Sequence, residues 1–150
     1  MTVDIPIKPH LKKFVIFTME AFEPVVLKEK DLLGSAIMKA LQETRQHKFD
    51  RRLDQFTSRI KVVLTHDMRE RSPRLHRLIY MNTELEREFQ VGLLLWVRAQ
   101  RKMGSPANEA CKNFLATLKI DENEYSYDAA YKLWQRFNEI KNKNNAPEVS

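Results

Sequence analysis

Glycine is scarce in this chain of 150 residues, which has three glycines: Gly34, Gly92 and Gly104. A Walker-type phosphate loop and a dinucleotide fingerprint each need at least two glycines at fixed short spacing, because the backbone must approach the phosphates closely. No two of these glycines have that spacing. The sequence therefore excludes both kinds of nucleotide site.

Cysteine is scarcer still, because Cys111 stands alone. A single thiol cannot form an internal disulfide, and this usage is typical of a reducing compartment. The longest apolar run, Val91–Val97, is far shorter than the roughly 20 residues that a membrane helix needs. The first residues also lack the basic start and apolar run of a signal peptide. We expect a cytoplasmic protein that does not contact a membrane.

Patterns typical of catalysis and of metal binding are also missing. The four histidines are scattered, and none has a second ligand at zinc-site spacing. His66 and Asp67 are adjacent, but a catalytic role would also need a nucleophile and an oxyanion site. Cys111 lies on the apolar stripe of its helix, which favours a buried small hydrophobe. We expect no enzyme activity, no metal and no cofactor.

The N-terminal part is predicted to be α+β, with a small antiparallel sheet and two helices. Residues Thr2–Lys8 alternate between apolar and polar, which indicates an edge strand that contains Pro6. Pro9 opens the first helix. The second helix is expected over Asp31–Arg45, and the longest strand over Phe56–Thr65.

The pieces between these elements are short. Val25–Leu27 is a candidate strand, and Gly34 leaves room for close packing inside the second helix. Two charged stretches, Arg45–Asp54 and Asp67–Pro73, are predicted to be a loop and a turn.

A long central helix is predicted from Ser72, as its N-cap, to Met103. The sequence also allows an interruption of this helix near Asn82–Thr83, and it predicts that the helix ends at Gly104. Its apolar stripe consists of Leu78, Leu85, Phe89, Leu93, Trp96 and Met103. The predicted parts are 1–71, the long helix over 72–103, a C-terminal helix pair over 104–143 and a flexible tail over 144–150.

The positive charge is concentrated in one segment. Residues 45–77 hold ten basic and four acidic side chains, an excess that equals the net charge of +6 of the whole chain. Eight of the ten are arginine, whose planar fork suits phosphate. The predicted phosphate contacts are Arg51, Arg52, Arg59, Arg69, Arg71 and Arg74. The alternative is that these charged side chains lie on a loop and on a strand face that contact only solvent.

The C-terminal helices, Asn108–Leu118 and Ser126–Ile140, have the layout of a helix-turn-helix. Their connection of about seven residues is longer than the usual turn and acidic. On the last helix, Gln135 and Arg136 are the predicted base contacts and Lys132 a phosphate contact, together with Lys141 and Lys143. The alternative is that the last helix is amphipathic and that its polar face contacts only solvent.

A second DNA-binding layout is also open. A strand followed by two helices is the order of ribbon-helix-helix repressors, and Thr2, Asp4 and Pro6 would then point outward. Three features depart from that family. Phosphate repels Asp4, Pro6 is poorly suited to contact bases, and the loop between the two helices is longer than in the family.

Several short runs resemble small uncharacterised proteins carried by phages and integrated elements of Bacteroidetes-type bacteria. The runs at the N-terminal end are Ile5-Pro-Ile-Lys-Pro9 and Leu32-Leu-Gly34. Those at the C-terminal end are Phe114-Leu-Ala-Thr-Leu-Lys-Ile120, Glu124-Tyr-Ser126 and Trp134-Gln-Arg136. The resemblance covers both ends and implies a mobile-element setting and a role facing DNA.

The charge and the helix pair together predict a non-enzymatic DNA-binding protein, regulatory or architectural, whose partner is double-stranded DNA. The alternative is a protein–protein interaction or virion module. In that case the apolar stripe of the long helix would form the interface of a homo-oligomer.

Overall fold

Strands and helices alternate as far as the third strand, and the described residues after it are helical. The computed structural model describes residues 2–42, 55–71 and 73–145. Its strands are β1 (Thr2–Ile7), β2 (Val25–Val26) and β3 (Ser58–Val63). Its helices are α1 (Pro9–Met19), α2 (Leu32–Gln42), α3 (His66–Glu70), α4 (Leu75–Leu78), α5 (Met81–Lys102), α6 (Ala107–Thr117) and α7 (Tyr127–Asn145). The α+β class expected from the sequence is confirmed.

The chain divides into two compact units, residues 1–89 and residues 90–150. The boundary lies inside α5, whereas the sequence-based division placed its boundaries at the two ends of the long helix. None of the helices in the described ranges is long and apolar enough to cross a membrane.

β3 is the central strand of the sheet, between β1 and β2. β1 runs antiparallel to β3, with Ile5 opposite Ile60. β2 runs parallel to β3, since α2 lies between them in the chain and a parallel pair needs such a crossover. The sheet is therefore mixed, where only antiparallel neighbours were expected.

One face of the sheet forms the core of the first unit. Four of its side chains have no exposed surface: Ile5, Ile7, Ile60 and Val62. Burial of each such side chain contributes roughly 1.5–3 kcal/mol. The opposite face carries Asp4, Arg59 and Lys61, which are exposed. The alternation of the two strands thus separates an apolar core from a charged surface.

α1 begins at Pro9 as predicted, with extended backbone at the residue before it. Three of its apolar residues are buried: Leu11, Phe14 and Val15. The helix ends at Glu20, which adopts a left-handed conformation with φ of 51°. Phe22 lies beyond this end and is exposed.

Gly34 is buried near the start of α2 because a backbone carbonyl lies against it. Its N–H donates to Asp31 Oδ1 over 2.6 Å, and the other oxygen of that carboxylate accepts from the N–H of Lys28 over 2.8 Å. A Cβ added to Gly34 would lie 1.9 Å from the carbonyl oxygen of Lys28. The close packing expected at Gly34 is therefore confirmed, and the Asp31 turn causes it.

The prediction of a turn over Asp67–Pro73 was wrong, because α3 occupies most of it. Thr65 caps this helix, with its hydroxyl accepting from the N–H of Met68 over 3.3 Å. Met68 is its one buried residue. A threonine cap and one apolar anchor are enough to form a helix of five residues here.

The long central helix is shorter than predicted. Pro73 and Arg74 are not helical, α4 has four residues, and Ile79 and Tyr80 form a turn before α5 begins. The break lies three residues before Asn82, close to the position that the sequence left open. Tertiary hydrogen bonds of Asn82 explain its position.

The side chain of Asn82 joins three parts of the first unit. Its Nδ2 donates to the carbonyl of Pro6 over 3.1 Å and to that of Ile79 over 2.9 Å. Its Oδ1 accepts from the N–H of Lys8 over 3.1 Å. The end of β1, the start of α1 and the end of the α4 turn are thereby fixed to the first turn of α5.

A largely buried hydrogen bond between two side chains lies one turn further along α5. His10 Nε2 is 2.8 Å from Glu86 Oε2, and the His10 ring meets Phe89 edge-on at 4.9 Å. Phe89 has no exposed surface. Neither His10 nor Glu86 was singled out in the sequence.

The second unit packs α6 and α7 against each other and has its own aromatic contacts. Trp96 lies 6.0 Å from Phe114, ring to ring, and the Arg101 guanidinium lies 5.9 Å from the Trp134 ring. Ser126 caps α7 as predicted, since its hydroxyl accepts from the N–H of Ala129 over 3.0 Å. α7 continues to Asn145, beyond the predicted end at Ile140, so residues 144 and 145 are helical rather than part of the flexible tail.

Cys111 is fully buried in this second core, which confirms the expectation of a buried hydrophobe. Burial raises the pKa of the Cys111 thiol to about 11. The thiolate is the reactive form of cysteine, and at neutral pH it is therefore rare at this position.

We expect Gly34→Ala to lower the free energy of unfolding by about 2 kcal/mol. Alanine normally favours a helix over glycine by about 1 kcal/mol, but here its methyl group collides with the Lys28 carbonyl. Urea denaturation measures the change. Ser35→Ala is the matched control and should stay within about 0.5 kcal/mol of the parent. Stabilisation by Gly34→Ala would contradict the described contact.

Cys111 should resist alkylation in the folded protein. A rise of its pKa from 9.0 to about 11 lowers the thiolate fraction at pH 8 by about a hundredfold, before burial slows access further. Iodoacetamide labelling followed by mass spectrometry checks this, with the urea-unfolded chain as control. A folded thiol that reacts as fast as the unfolded one would show that the site is open.

Candidate nucleic-acid interface

The predicted contact residues fall in both units. Arg51 and Arg52 lie outside the described residues. The first unit holds Arg59 on β3, Arg69 on α3, and Arg71 and Arg74 between α3 and α4. The second unit holds Lys132, Gln135 and Arg136 on α7.

Arg59 lies on the outer face of the sheet, where its neighbours weaken a positive patch. It is opposite Pro6 on β1, and Lys61 is opposite Asp4. Opposite charges on facing strands attract and partly cancel. This face therefore holds one unopposed arginine and a mixed pair.

The connection between α3 and α4 brings several cations together. A depression of about 310 Å³ is lined by Arg71, Arg74, His76 and Arg77, and we call it the arginine depression. All four residues are exposed. Among the described residues, no acidic side chain lines it. Two of the predicted contacts, Arg71 and Arg74, are thus brought to one concave surface.

Two residues of the arginine depression were not among the predicted contacts. Arg77 was counted in the charged segment, and His76 was not singled out. Arg71, Arg74 and Arg77 follow one another every three residues, which is the signal that could have placed them on one side. The backbone supports this arrangement, since the N–H of Arg77 donates to the carbonyl of Arg74 over 2.9 Å.

The arginines of this region are mostly unpaired. Arg69, Arg74 and Arg77 form no salt bridge with any acidic group in the described part of the chain. Unpaired guanidinium groups keep their full donor capacity for a ligand.

Arg71 has an acidic environment on one side. A hydrogen bond between the side chains of Glu29 and Asp67 raises the pKa of Glu29, and the charge of Arg71 acts in the opposite direction. Part of the charge of Arg71 is therefore opposed within the protein. Arg74 and Arg77 remain the cations of the depression with the least opposition.

On α7 the predicted reader face has mixed charge. Lys132 Nζ lies 2.9 Å from Asp128 Oδ2, one helical turn away. Gln135 and Arg136 are exposed as expected. Glu139 is three residues after Arg136, a spacing that places both on one side of a helix. Lys132 is therefore engaged by its own helix, and Arg136 has an acidic neighbour.

The N-terminus of α7 is occupied by side chains of its own connection. The Glu122 carboxylate accepts from the N–H of Tyr127 over 3.0 Å. The connection spans nine residues, 118–126, where a helix-turn-helix usually has three or four. An anion could approach this helix end only by displacing Glu122, which disfavours docking of a phosphate there.

The ribbon-helix-helix alternative meets an obstacle in β1. That family pairs the strand with its copy from a second chain, whereas β1 is hydrogen-bonded along its length to β3 of its own chain. Thr2, Asp4 and Pro6 do lie on the outer face, as expected. The strand is nevertheless part of an intramolecular sheet.

The apolar stripe that the interaction-module alternative relied on is mostly used inside the chain. Four of its six residues have no exposed surface: Leu78, Leu85, Phe89 and Leu93. These side chains form the chain's own core and are not available to a partner. Of the other two, Trp96 is half-buried, and Met103 has 80% of its surface exposed.

His66, which was considered for a catalytic role, contacts another side chain of its own helix. His66 Nε2 lies 3.5 Å from Glu70 Oε1, and both side chains are exposed. In the described ranges, no group of three or more His, Cys, Asp or Glu side chains is arranged to hold a metal ion.

Comparisons with known protein families, with curated proteins and with solved structures found no match for this chain.

Proposed function

We propose that this protein binds DNA without catalysing a reaction, and that the arginine depression holds the phosphate backbone. The observation that carries the proposal is the convergence of Arg71, Arg74, His76 and Arg77 on one concave surface. Arginine donates two parallel hydrogen bonds to phosphate oxygens and keeps its charge at any physiological pH. Such contacts bind the backbone of any sequence.

The role of α7 is secondary in this proposal. Lys132 is paired with Asp128, and Glu122 occupies the start of the helix. Base contacts by Gln135 and Arg136 stay a prediction, as do a regulatory or architectural role and a phage or mobile-element setting. The proposal therefore assigns affinity to the first unit and at most selectivity to the second.

Binding of duplex DNA should weaken steeply as salt rises, because each phosphate contact releases condensed counterions. We expect Arg74→Ala with Arg77→Ala to lower affinity by roughly tenfold and the slope of log K against log salt by about 2. Fluorescence anisotropy at several salt concentrations measures both. The control with the same charge change is Arg87→Ala with Arg98→Ala, at exposed positions outside the depression.

Two outcomes would overturn the proposal. One is a parent protein that does not bind duplex DNA at low salt. The other is an equal loss of affinity in both double variants, which would mean that net charge alone drives binding. Lys132→Ala with Arg136→Ala tests α7 in the same assay, and we expect it to change affinity less than the depression variant.

A second candidate function, assembly of copies of this chain, is favoured by another face of α5. Val91 and Leu95 are 50% and 59% exposed, and Met103 is more exposed still. Val91 and Leu95 are four residues apart, so they lie on one side of α5, and Met103 directly follows the last residue of this helix. Large side chains exposed along one side mark a protein interface when they form a continuous patch.

If copies assemble through this face, the parent should sediment as a dimer or larger species at micromolar concentration. Leu95→Lys should return it to a monomer, because a buried charge opposes association. Thr83→Lys, at an exposed position elsewhere on α5, is the control. A parent that is monomeric at all concentrations would exclude this function.

A further inference from the structure

The arginine depression has the size of a site for one compact anion. Its volume of about 310 Å³ equals the space of roughly ten water molecules in the liquid. A phosphate group with part of its hydration shell fits such a space. A phosphate in the backbone of a duplex can reach the same space, but two of its four oxygens are bound in esters.

The donors that line the depression exceed what an internal phosphodiester can accept. Each of the three arginines offers up to five N–H donors in a fixed fork, and the His76 ring offers at least one more. An internal phosphodiester carries one negative charge and has two oxygens free of ester bonds. A phosphate monoester carries about −1.5 to −2 at pH 7 and has three such oxygens.

The acidic groups near the depression do not cancel its excess of donors, which favours a monoester over a diester. Glu29 and Asp67 lie near Arg71, and Glu70 is within reach of His66. Arg74 and Arg77 have no salt bridge with an acidic group of the described residues. These two arginines, one helical turn apart, are therefore the pair best placed to grip a doubly charged anion.

We propose that the arginine depression binds a terminal phosphate monoester in preference to an internal phosphodiester. The step to nucleic acid rests on the proposed function: the monoester is then the 5′-phosphate at the end of a strand. A free nucleoside monophosphate carries the same chemistry, and the experiment separates the two sources.

The experiment compares two oligonucleotide duplexes of one sequence, with a 5′-phosphate or a 5′-hydroxyl and a fluorophore at the 3′ end. Anisotropy titration of the full chain should give roughly five- to tenfold tighter binding of the phosphorylated duplex, because an added group with a charge of about −1.5 to −2 meets several donors. Arg74→Ala with Arg77→Ala should abolish the difference. Arg87→Ala with Arg98→Ala should keep it.

A conservative variant separates charge from geometry. Arg77→Lys keeps the positive charge but loses the planar fork. We expect it to retain affinity for the 5′-hydroxyl duplex and to lose part of the affinity for the phosphorylated one, so that the preference for the 5′-phosphate falls to about twofold. A preference unchanged in both Arg77→Lys and the double alanine variant would place the recognition elsewhere and overturn the proposal.

The outcomes distinguish this proposal from the function on which it rests. If the parent binds both duplexes equally and the double alanine variant weakens both, the DNA-binding function stands and the monoester preference is wrong. If neither duplex binds but adenosine monophosphate does, with loss in the double alanine variant, the monoester site stands and the DNA function is wrong. If adenosine monophosphate and both duplexes all fail to bind, both are wrong.

Discussion

The amide of Asn82 is the constraint on which the arrangement of the first unit depends. It is buried, at 4% exposure, and it satisfies the backbone of Pro6, Lys8 and Ile79 with three hydrogen bonds. A buried backbone group left without a partner costs about 1–3 kcal/mol, so these contacts hold the β1–α1 corner against α5. They also hold the chain in a turn just before α5. Because that turn separates α4 from α5, Arg77 belongs to a short helix next to the α3–α4 connection, which carries Arg71 and Arg74, and not to a long central helix.

The exposed arginines remain open because many acidic groups are engaged elsewhere. Glu23 accepts from the backbone of Lys61 and lies 2.7 Å from Lys12 Nζ, and the hydrogen bond with Lys12 contributes most to lowering the pKa of Glu23. Glu86 pairs with His10, and Glu122 caps α7. Each of these carboxylates has a structural task in its own unit. The positive excess counted over residues 45–77 therefore meets little opposition around Arg74 and Arg77.

Local signals in the sequence predicted the elements that local chemistry determines. Alternation located β1 and β3, Pro9 marked the start of α1, and Ser126 marked the cap of α7. Two elements depend on contacts that a pattern cannot show. Pro73 has the position of a first helical residue, yet the helix stops and restarts because Asn82 binds the carbonyl of Pro6 and the N–H of Lys8, both far away in the chain. α3 has only Met68 as a buried residue, so its sequence shows almost no helical periodicity of apolar residues.

The candidate site could be predicted only in part for the same reason. Counting charge along the chain identified the basic segment, but it could not show which cations share a concave surface. In contrast, the spacing of four residues between Asp128 and Lys132 is enough to predict that the two side chains pair on one side of a helix.

The position of the cations also bears on what kind of recognition this surface allows. Base reading needs side chains that enter a groove on a protruding element, and the arginine depression is concave. A concave cationic surface instead selects for charge density and for the shape of the anion. The helix that could protrude, α7, has its N-terminal donors satisfied by Glu122 and Ser126, so its start is already neutralised. Discrimination between nucleic acids at the depression would therefore come from the chemistry of strand ends and from backbone charge. Base sequence would enter only through the exposed side of α7, at Gln135 and Arg136.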